Sequence, residues 1–289
     1  MPDATPVVHL TYLQATVLGV IQGATELLPV SSTAHMRIIP ALLHWPDPGA
    51  AFSAIVQLGP IFALLAIFRE KLIRYAQGVG RSVKAKTLFP AGDTDAKLGW
   101  FTVLGTIPLA VAGLALEKQV DKQYRNLILV ASALILLAIV LWIAERVSKR
   151  TKPLESLTLG EAMGIGLAQA LALVPGASRS GVTITTGLFL GLTREAAVDF
   201  SFLLSIPAIT LAGVYKLYKV LHTTHLGPEA GPYLLSAVIS GIVAYGAVRW
   251  LLKYIGEEGH TTLPFIIYRI ALGIALLVLV AIGFVVPES

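Results

Sequence analysis

Two apolar stretches of the chain carry side chains of the types that transfer phosphoryl groups. The first stretch, residues 19–35, contains a carboxylate, three hydroxyls and an imidazole: Glu26, Ser31, Ser32, Thr33 and His35. The second stretch, residues 166–191, holds a guanidinium between two serines: Ser178, Arg179 and Ser180. A hydroxyl or an imidazole can attack phosphorus, a carboxylate can accept a proton, and a guanidinium matches the geometry of phosphate oxygens. Together these residue types indicate a phosphate site with a nucleophile and a base.

The spacing within each stretch places these groups on helices that break in the middle. Gln22 and Glu26 are four residues apart, so they share one helical face just before the break. Ser32 and His35 are three residues apart at the beginning of the next helix. A helix N-terminus has free N–H groups and a dipole that favours negative charge, so we expect it to bind phosphate. Arg179, beside a second helix N-terminus, adds a charged fork of donors.

From these groups we predict four catalytic residues and six that bind substrate. Ser32 attacks the phosphorus of the bound phosphate group while His35 acts as base or leaving-group acid. Glu26 orients His35 or helps to hold a metal ion, and Arg179 stabilises the charge on the phosphates. The predicted substrate-binding residues are Gln22, Ser31, Thr33, Ser178, Ser180 and Thr183. One alternative stays open, in which His35 is the nucleophile and Ser32 only binds phosphate.

Each of these residues also has a structural interpretation. Ser31 and Thr33 can serve as N-caps of a helix. Glu26 and Arg179 can form a buried ion pair that has no catalytic role, and a lone imidazole such as that of His35 is often a core group. Placing five polar groups on two broken apolar helices within a membrane costs free energy. Such groups are retained mainly where they have a function, which favours the functional interpretation.

Composition identifies the chain as an integral membrane protein. Of its 289 residues, 55% are hydrophobic and only 13% are charged, against roughly 25% charged in an average soluble domain. The mean hydropathy is +0.76. Helices of about 20 apolar residues cross a bilayer, and we predict six of them, at 50–68, 99–117, 127–145, 197–217, 233–252 and 263–285. Arg269, beside Tyr268, lies inside the last span and has no assigned role.

Charge and cysteine content narrow the function classes. The net charge of +5 does not indicate nucleic-acid binding, because the Lys and Arg residues lie mainly in loops between the spans. The chain has no cysteine, which excludes disulfides and thiolate metal sites. One predicted side has fourteen cations, Arg69, Lys71, Arg74, Arg81, Lys84, Lys86, Lys97, Arg146, Lys149, Arg150, Lys152, Arg194, Arg249 and Lys253, and the other has six, Arg37, Lys118, Lys122, Arg125, Lys216 and Lys219. The richer side is predicted to be cytoplasmic, so the first motif opens outward.

The two motif stretches are predicted to be re-entrant hairpins, because each half is too short or too interrupted to span the bilayer. The predicted half-helices are 12–28, 32–44, 158–174 and 178–191. Residues 51–58 align with 199–206 at an offset of 148, and Gly-x-x-Gln occurs at 19–22 and at 166–169. We therefore predict an all-α fold of six transmembrane helices plus two re-entrant helical hairpins in an inverted-topology repeat. The single polytopic domain, 1–289, divides into halves of approximately 1–150 and 151–289.

Both motifs resemble signatures of the undecaprenyl-pyrophosphate phosphatases of the bacitracin-resistance (BacA) type. Gln22-x-x-x-Glu26 with Leu-Pro-Val-Ser-Ser-Thr-x-His35 is similar to the first signature, E/Q-x-x-x-E. Residues 175–183, Pro-Gly-Ala-Ser-Arg-Ser-Gly-Val-Thr, are similar to the second, P-G-x-S-R-S-x-x-T. The motifs occur in the expected order, and the resemblance extends over nearly the whole chain.

The resemblance implies a bacterial inner-membrane hydrolase whose active site faces the periplasm and which converts undecaprenyl pyrophosphate to undecaprenyl phosphate and inorganic phosphate. That reaction recycles the carrier lipid for peptidoglycan synthesis and confers bacitracin resistance. Glu26, Ser32, His35 and Arg179 fall on the family's catalytic positions. The resemblance also implies a divalent cation, Mg²⁺ or Ca²⁺, with Glu26 as a ligand. Gln22 stands where many members have a second Glu, which leaves one carboxylate fewer for that cation.

Two rival functions remain open. A polyprenyl-phosphate flippase or transporter would also use broken helices in inverted repeats, and it would move lipid without releasing phosphate. A second class of lipid phosphatase carries S-R-x-x-x-x-x-H, but the position six residues after Arg179 is Thr185. The expected partners are the polyprenyl pyrophosphate, the bilayer and a second copy in a homodimer, and no nucleic acid.

Overall fold

The structure is a computed structural model that describes residues 8–116, 126–223 and 230–287. These residues contain eleven α-helices. They are α1 Tyr12–Thr25, α2 Ser32–Leu42, α3 Gly49–Val56, α4 Leu58–Lys84, α5 Thr94–Ala115, α6 Leu127–Val147, α7 Leu159–Gln169, α8 Arg179–Phe189, α9 Arg194–Thr223, α10 Ala230–Gly256 and α11 Leu263–Ala281. Two short 3₁₀ turns, Leu154–Ser156 and Ala170–Leu173, flank α7. Within those ranges there is no β-strand, so the all-α prediction is confirmed.

Six helices are long and apolar enough to cross a membrane, which confirms the number predicted. They are Phe52–Lys84, formed by α3 and α4, and Thr94–Ala115, Leu127–Val147, Arg194–His222, Ala230–Gly256 and Leu263–Ala281. The first is much longer than its predicted span of 50–68. With 27 residues, α4 alone measures about 40 Å at a rise of 1.5 Å per residue, more than the roughly 30 Å of a hydrocarbon core.

Four further helices, α1, α2, α7 and α8, are too short to cross the hydrocarbon core of a bilayer. Helix α1 has 14 residues, and α2, α7 and α8 have 11 each, which corresponds to about 16–21 Å. The break between α1 and α2 ends at Ser31, and the break before α8 ends at Ser178. Both serines adopt a positive φ, 72° and 66°, and each side chain accepts a hydrogen bond from the backbone N–H three residues later. The N-cap interpretation of Ser31 is therefore confirmed.

Small residues bring the short helices close to their neighbours. A Cβ on Gly23 of α1 would lie 2.4 Å from the carbonyl oxygen of Ser240 in α10, and one on Gly166 of α7 would lie 2.1 Å from that of Gly105 in α5. Glycine is therefore required at both crossings, as in other closely packed membrane helices. These contacts fix where α1 and α7 present their polar residues.

The outer ends of α2 and α8 lie at opposite ends of α6. Leu42, the last residue of α2, shares a hydrophobic cluster with Leu127, the first residue of α6. Near the end of α8, the carbonyl of Leu188 accepts a hydrogen bond from Ser148, just after the last residue of α6. At 21 residues, α6 is about 32 Å long. The C-terminal ends of α2 and α8 are therefore packed near different ends of α6.

A buried ion-pair cluster joins three helix ends on the side of α6 where α8 ends. Glu145 of α6 accepts hydrogen bonds from Arg194 at the start of α9, from Arg150 at 2.8 Å and from Thr262 at 2.7 Å, just before α11. The Glu145 side chain is only 8% exposed. Removing one partner of a buried pair leaves an uncompensated charge, which makes this carboxylate important for stability.

Replacing Glu145 by Ala is expected to destabilise the protein strongly, because Arg194 and Arg150 lose their shared carboxylate. Breaking a buried pair in this way costs about 3–5 kcal/mol. The measurement is thermal unfolding of the purified protein in detergent. Glu257→Ala is the matched control, since the Glu257 side chain is 50% exposed and exposed pairs contribute little. Equal melting temperatures for the two variants would contradict the assigned role of the cluster.

Candidate functional site

The carboxylate of Glu26 lies at the centre of the site. Its Oε2 accepts hydrogen bonds from Gln22 Nε2 at 2.6 Å and from Ser32 Oγ at 2.5 Å. Its Oε1 accepts one from Arg179 Nη2 at 2.7 Å. Glu26, Gln22 and Ser32 are buried, and 11% of the Arg179 side chain is exposed. The structure thus brings together four of the residues that the two motifs predicted, across 153 positions of sequence.

Local geometry explains why Ser32 and Arg179 meet at this point. Ser32 is the first residue of α2 and Arg179 is the first residue of α8, so each follows a positive-φ serine that caps its helix. The first N–H groups of a helix have no partner within that helix. Two helix N-termini therefore present N–H groups and positive dipole ends beside the Glu26 carboxylate, an arrangement that favours an anion.

Two hydroxyls join the broken segments to one another. Thr33 Oγ1 accepts a hydrogen bond from the N–H of Gly176 at 3.4 Å, and Ser180 Oγ donates to the carbonyl of Leu28 at 2.9 Å. Each hydroxyl lies two residues beyond the capping serine of its own helix. Thr183 instead bonds the backbone of α8 and the hydroxyl of Ser201, at 2.7 Å, in α9. These contacts hold the two breaks together, and substrate binding by the six predicted residues stays a prediction.

His35 makes its hydrogen bonds away from Ser32. Its Nδ1 lies 2.7 Å from the carbonyl oxygen of Ser31, four residues earlier on the same turn, and its Nε2 lies 2.5 Å from the hydroxyl of Tyr268 on α11. Among the described residues, the acceptor for the Ser32 hydroxyl is Glu26. The carboxylate predicted to orient His35 is therefore bonded to the serine directly.

Comparisons with known proteins show the family of the chain. A family model described as "Bacitracin resistance protein BacA" matches residues 15–275, which include both broken segments. The chain belongs to this family. Proteins named "Undecaprenyl-diphosphatase" are similar to it over almost their whole length. The one from Chloroherpeton thalassium is 46% identical, covering 94% of this chain and 97% of the relative. Those from Nocardioides sp. and Myxococcus xanthus are 44% and 43% identical, covering 95% and 97% of this chain and 98% and 93% of the relatives.

In this BacA family member, two adjacent residues of α11 extend the site beyond the motifs. Tyr268 contacts His35, and the fully buried Arg269 donates from Nη2 to the carbonyls of Ala177 at 2.9 Å and Gly176 at 3.2 Å. The sequence indicated that Arg269 is unusual, because it is a cation inside an apolar span. It did not indicate that the partners of Arg269 are backbone carbonyls about 90 positions earlier. Nothing in the sequence indicated a role for Tyr268, because tyrosine is common in membrane helices near the interfaces.

Arg269 adds positive charge behind the second break. Among the described residues no carboxylate forms an ion pair with it, and its Nε and Nη1 have no hydrogen-bond partner. Arg179 is balanced by Glu26, so Arg269 leaves the site with an excess of one positive charge. Such an excess favours an anionic substrate.

The residues around Glu26 do not fit a resident divalent cation. Mg²⁺ and Ca²⁺ require several oxygen ligands, and within the described ranges no group of three or more His, Asp or Glu side chains is arranged to hold a metal ion. Both oxygens of Glu26 already accept hydrogen bonds, and the Arg179 guanidinium lies 2.7 Å from Oε1. Gln22 supplies an N–H donor where a second carboxylate would supply a ligand.

Replacing Gln22 by Glu is expected to make phosphate release more dependent on added Mg²⁺ or Ca²⁺ than it is in the wild type. The new carboxylate would stand beside Glu26 in place of the Nε2 donor, and two adjacent carboxylates repel unless they share a proton or bind a cation. The measurement is phosphate release from a polyprenyl pyrophosphate in EDTA and after addition of each cation. Gln77→Glu, at an exposed position of α4, is the control. If Gln22→Glu and the wild type depended on the cations equally, the proposal that Gln22 replaces a metal ligand beside Glu26 would be contradicted.

Proposed function

We propose that the chain removes the terminal phosphate of undecaprenyl pyrophosphate and releases inorganic phosphate and the monophosphate carrier lipid. The observation that carries the proposal is the buried Glu26–Ser32–Arg179 cluster within an apolar bundle. A hydroxyl, a base for its proton and a guanidinium for phosphate are the groups this hydrolysis needs. Relatives named for the same reaction match over almost their full length. The activity recycles carrier lipid for peptidoglycan synthesis and accounts for the family's association with bacitracin resistance.

The geometry supports Ser32 as nucleophile and Glu26 as base. The Ser32 hydroxyl already donates to Glu26 Oε2, so the carboxylate takes this proton as Oγ attacks the terminal phosphorus. The bond from that phosphorus to the bridging oxygen breaks, and undecaprenyl phosphate leaves. Water then attacks the phosphorus of the phosphoserine and the P–Oγ bond breaks. Glu26 returns its proton to Ser32 Oγ, and inorganic phosphate leaves with the hydrogens of the water.

Arg179 stabilises the negative charge during both steps. A guanidinium has five N–H donors, and the described contacts of Arg179 are one bond to Glu26 and a long one, 3.4 Å, to the carbonyl of Ser205. Donors therefore remain for the oxygens of the transferred phosphoryl group, on which charge is spread in the transition state. The free N–H groups at the starts of α2 and α8 lie beside them.

The contacts of His35 support a different role from that of nucleophile. In-line attack by Nε2 requires its lone pair, and Tyr268 lies 2.5 Å from that nitrogen. The other ring nitrogen faces the carbonyl of Ser31. Attack by His35 would break one of these contacts, whereas attack by Ser32 uses a hydrogen bond that already points to the base.

The proposed topology is two re-entrant hairpins, α1–α2 and α7–α8, in an inverted repeat. Ser31 and Ser178, 147 positions apart, share an unusual positive φ and cap equivalent helices. The hairpins approach from opposite ends of α6, and a repeat with three transmembrane helices per half is inverted. This topology places the site near the midplane.

The proposed orientation places the mouth of the first hairpin at the periplasmic side of a bacterial inner membrane. It is supported by the contacts at the other end of the bundle, where Arg150 and Arg194 gather around Glu145. Lys118, Lys122 and Arg125, which the charge count assigns to the outer side, lie outside the described residues. The polyprenyl tail would lie along the apolar flanks of the hairpins. Assembly into a homodimer stays a prediction.

A divalent cation is proposed only as a companion of the substrate. Because the donor set around Glu26 does not fit a resident ion, Mg²⁺ or Ca²⁺ would enter as the counter-ion of the pyrophosphate, which is itself a strong ligand.

Phosphate release by the purified protein in detergent tests the proposed function. Arg179→Ala and Glu26→Gln are expected to lower kcat at least about 100-fold, since one donor aimed at transition-state charge contributes about 10²–10³ in rate. Arg249→Ala, which removes an exposed arginine of α10, is the matched control and is expected to leave kcat unchanged. Near-wild-type rates in both site variants would contradict the proposed site. Transport of the lipid without any phosphate release would favour the flippase alternative instead.

A further inference from the structure

Two contacts of His35, with the Ser31 carbonyl and with the Tyr268 hydroxyl, determine which nitrogen of the imidazole carries the proton. A backbone carbonyl only accepts hydrogen bonds, so the nitrogen that faces it, His35 Nδ1, must carry a hydrogen. In the neutral ring this leaves a lone pair on Nε2, to which the Tyr268 hydroxyl donates at 2.5 Å. The two rings are parallel within 1°. The Ser31 carbonyl requires the Nδ1–H tautomer, and the Tyr268 hydroxyl stabilises the same tautomer by donating to Nε2.

The selected tautomer acts on the backbone just before Ser32. The carbonyl of Ser31 accepts both the ring Nδ1–H of His35 at 2.7 Å and the backbone N–H of His35 at 3.3 Å. Ser31 has φ 72°, a strained conformation for a non-glycine residue that persists only where its surroundings hold it. The imidazole is one of the groups that hold it.

The second half of the chain shows that the turn itself does not need an imidazole. Ser178 adopts almost the same backbone, φ 66°, and its carbonyl accepts a backbone N–H from Val182 at 2.9 Å. Val182 stands 147 positions after His35, and it has no side-chain donor. The additional bond from ring to carbonyl therefore occurs in the half that carries the nucleophile, whereas the same fold forms in the other half without it.

We infer that Tyr268 is a positioning residue for the reaction, which holds His35 in its Nδ1–H tautomer and thereby fixes the Ser31 carbonyl and the direction of the Ser32 hydroxyl. The inference rests on the proposed role of Ser32 as nucleophile. Tyr268 acts through His35 and does not need to touch the substrate. Its hydroxyl is a long-range element of the site, 233 positions from the imidazole it contacts.

Tyr268→Phe tests the inference, because it removes the hydroxyl and retains the ring. In long-range ¹H–¹⁵N spectra of protein labelled at histidine, we expect His35 in wild type to carry its proton on Nδ1 and in the variant to populate both tautomers. His35→Asn identifies the signal among the six histidines. The kcat for phosphate release should fall about fivefold to tenfold, as expected for loss of one neutral hydrogen bond, with KM changed less than about twofold.

Tyr245→Phe is the matched control. The Tyr245 side chain is 41% exposed, against 44% for Tyr268, and its hydroxyl contacts Arg249 on α10. This variant should retain the wild-type tautomer and the wild-type kcat. Thermal unfolding of both variants shows whether either change is one of stability.

Two results would overturn the inference. One is an unchanged His35 tautomer in Tyr268→Phe, and the other is a mixed tautomer with an unchanged kcat. The spectra report on His35 and do not depend on whether Ser32 is the nucleophile. The nucleophile is tested separately, by trapping the enzyme during turnover and identifying the phosphorylated residue. The two proposals can therefore fail separately.

Discussion

The ion pair between Glu26 and Arg179 is the interaction on which the site depends. An unpaired charge is costly in apolar surroundings, so the protein is stabilised when the break that carries the carboxylate meets the break that carries the guanidinium. The close glycine crossings of α1 with α10 and of α7 with α5 make that meeting possible. The hydrogen bonds made by the hydroxyls of Thr33 and Ser180 then hold the two breaks together.

The two halves of the chain divide the chemistry between them. The first supplies the groups that gain and lose bonds or protons, Ser32 and Glu26, and the second supplies the cation that holds the phosphates, Arg179. Similar backbones at Ser31 and Ser178 thus carry different side chains at equivalent places. Helix α11 breaks the symmetry further, because Tyr268 contacts the first break and Arg269 contacts the second. One helix therefore contacts both breaks of the site.

The sequence predicted most of the fold because lipid restricts what a backbone can do. Six apolar spans and two breaks at proline follow from composition and length, and the structure has six such helices. The cluster of Gln22, Glu26, Ser32 and Arg179 was likewise predictable, since charges at membrane depth need partners. The partner of His35 was not, because Tyr268 lies 233 positions away and no local pattern records that contact. Nor could the sequence show that the Ser32 proton points at Glu26, which depends on the positive φ of Ser31.

The most direct test of this account is to identify the residue that carries the transferred phosphate. The enzyme would be mixed with undecaprenyl pyrophosphate labelled in its terminal phosphate, quenched within one turnover, digested and analysed by mass spectrometry under conditions that preserve acid-labile phosphates. The account predicts phosphoserine at position 32, since the hydroxyl of Ser32 already donates its proton to Glu26. Phosphate found on His35 would contradict it.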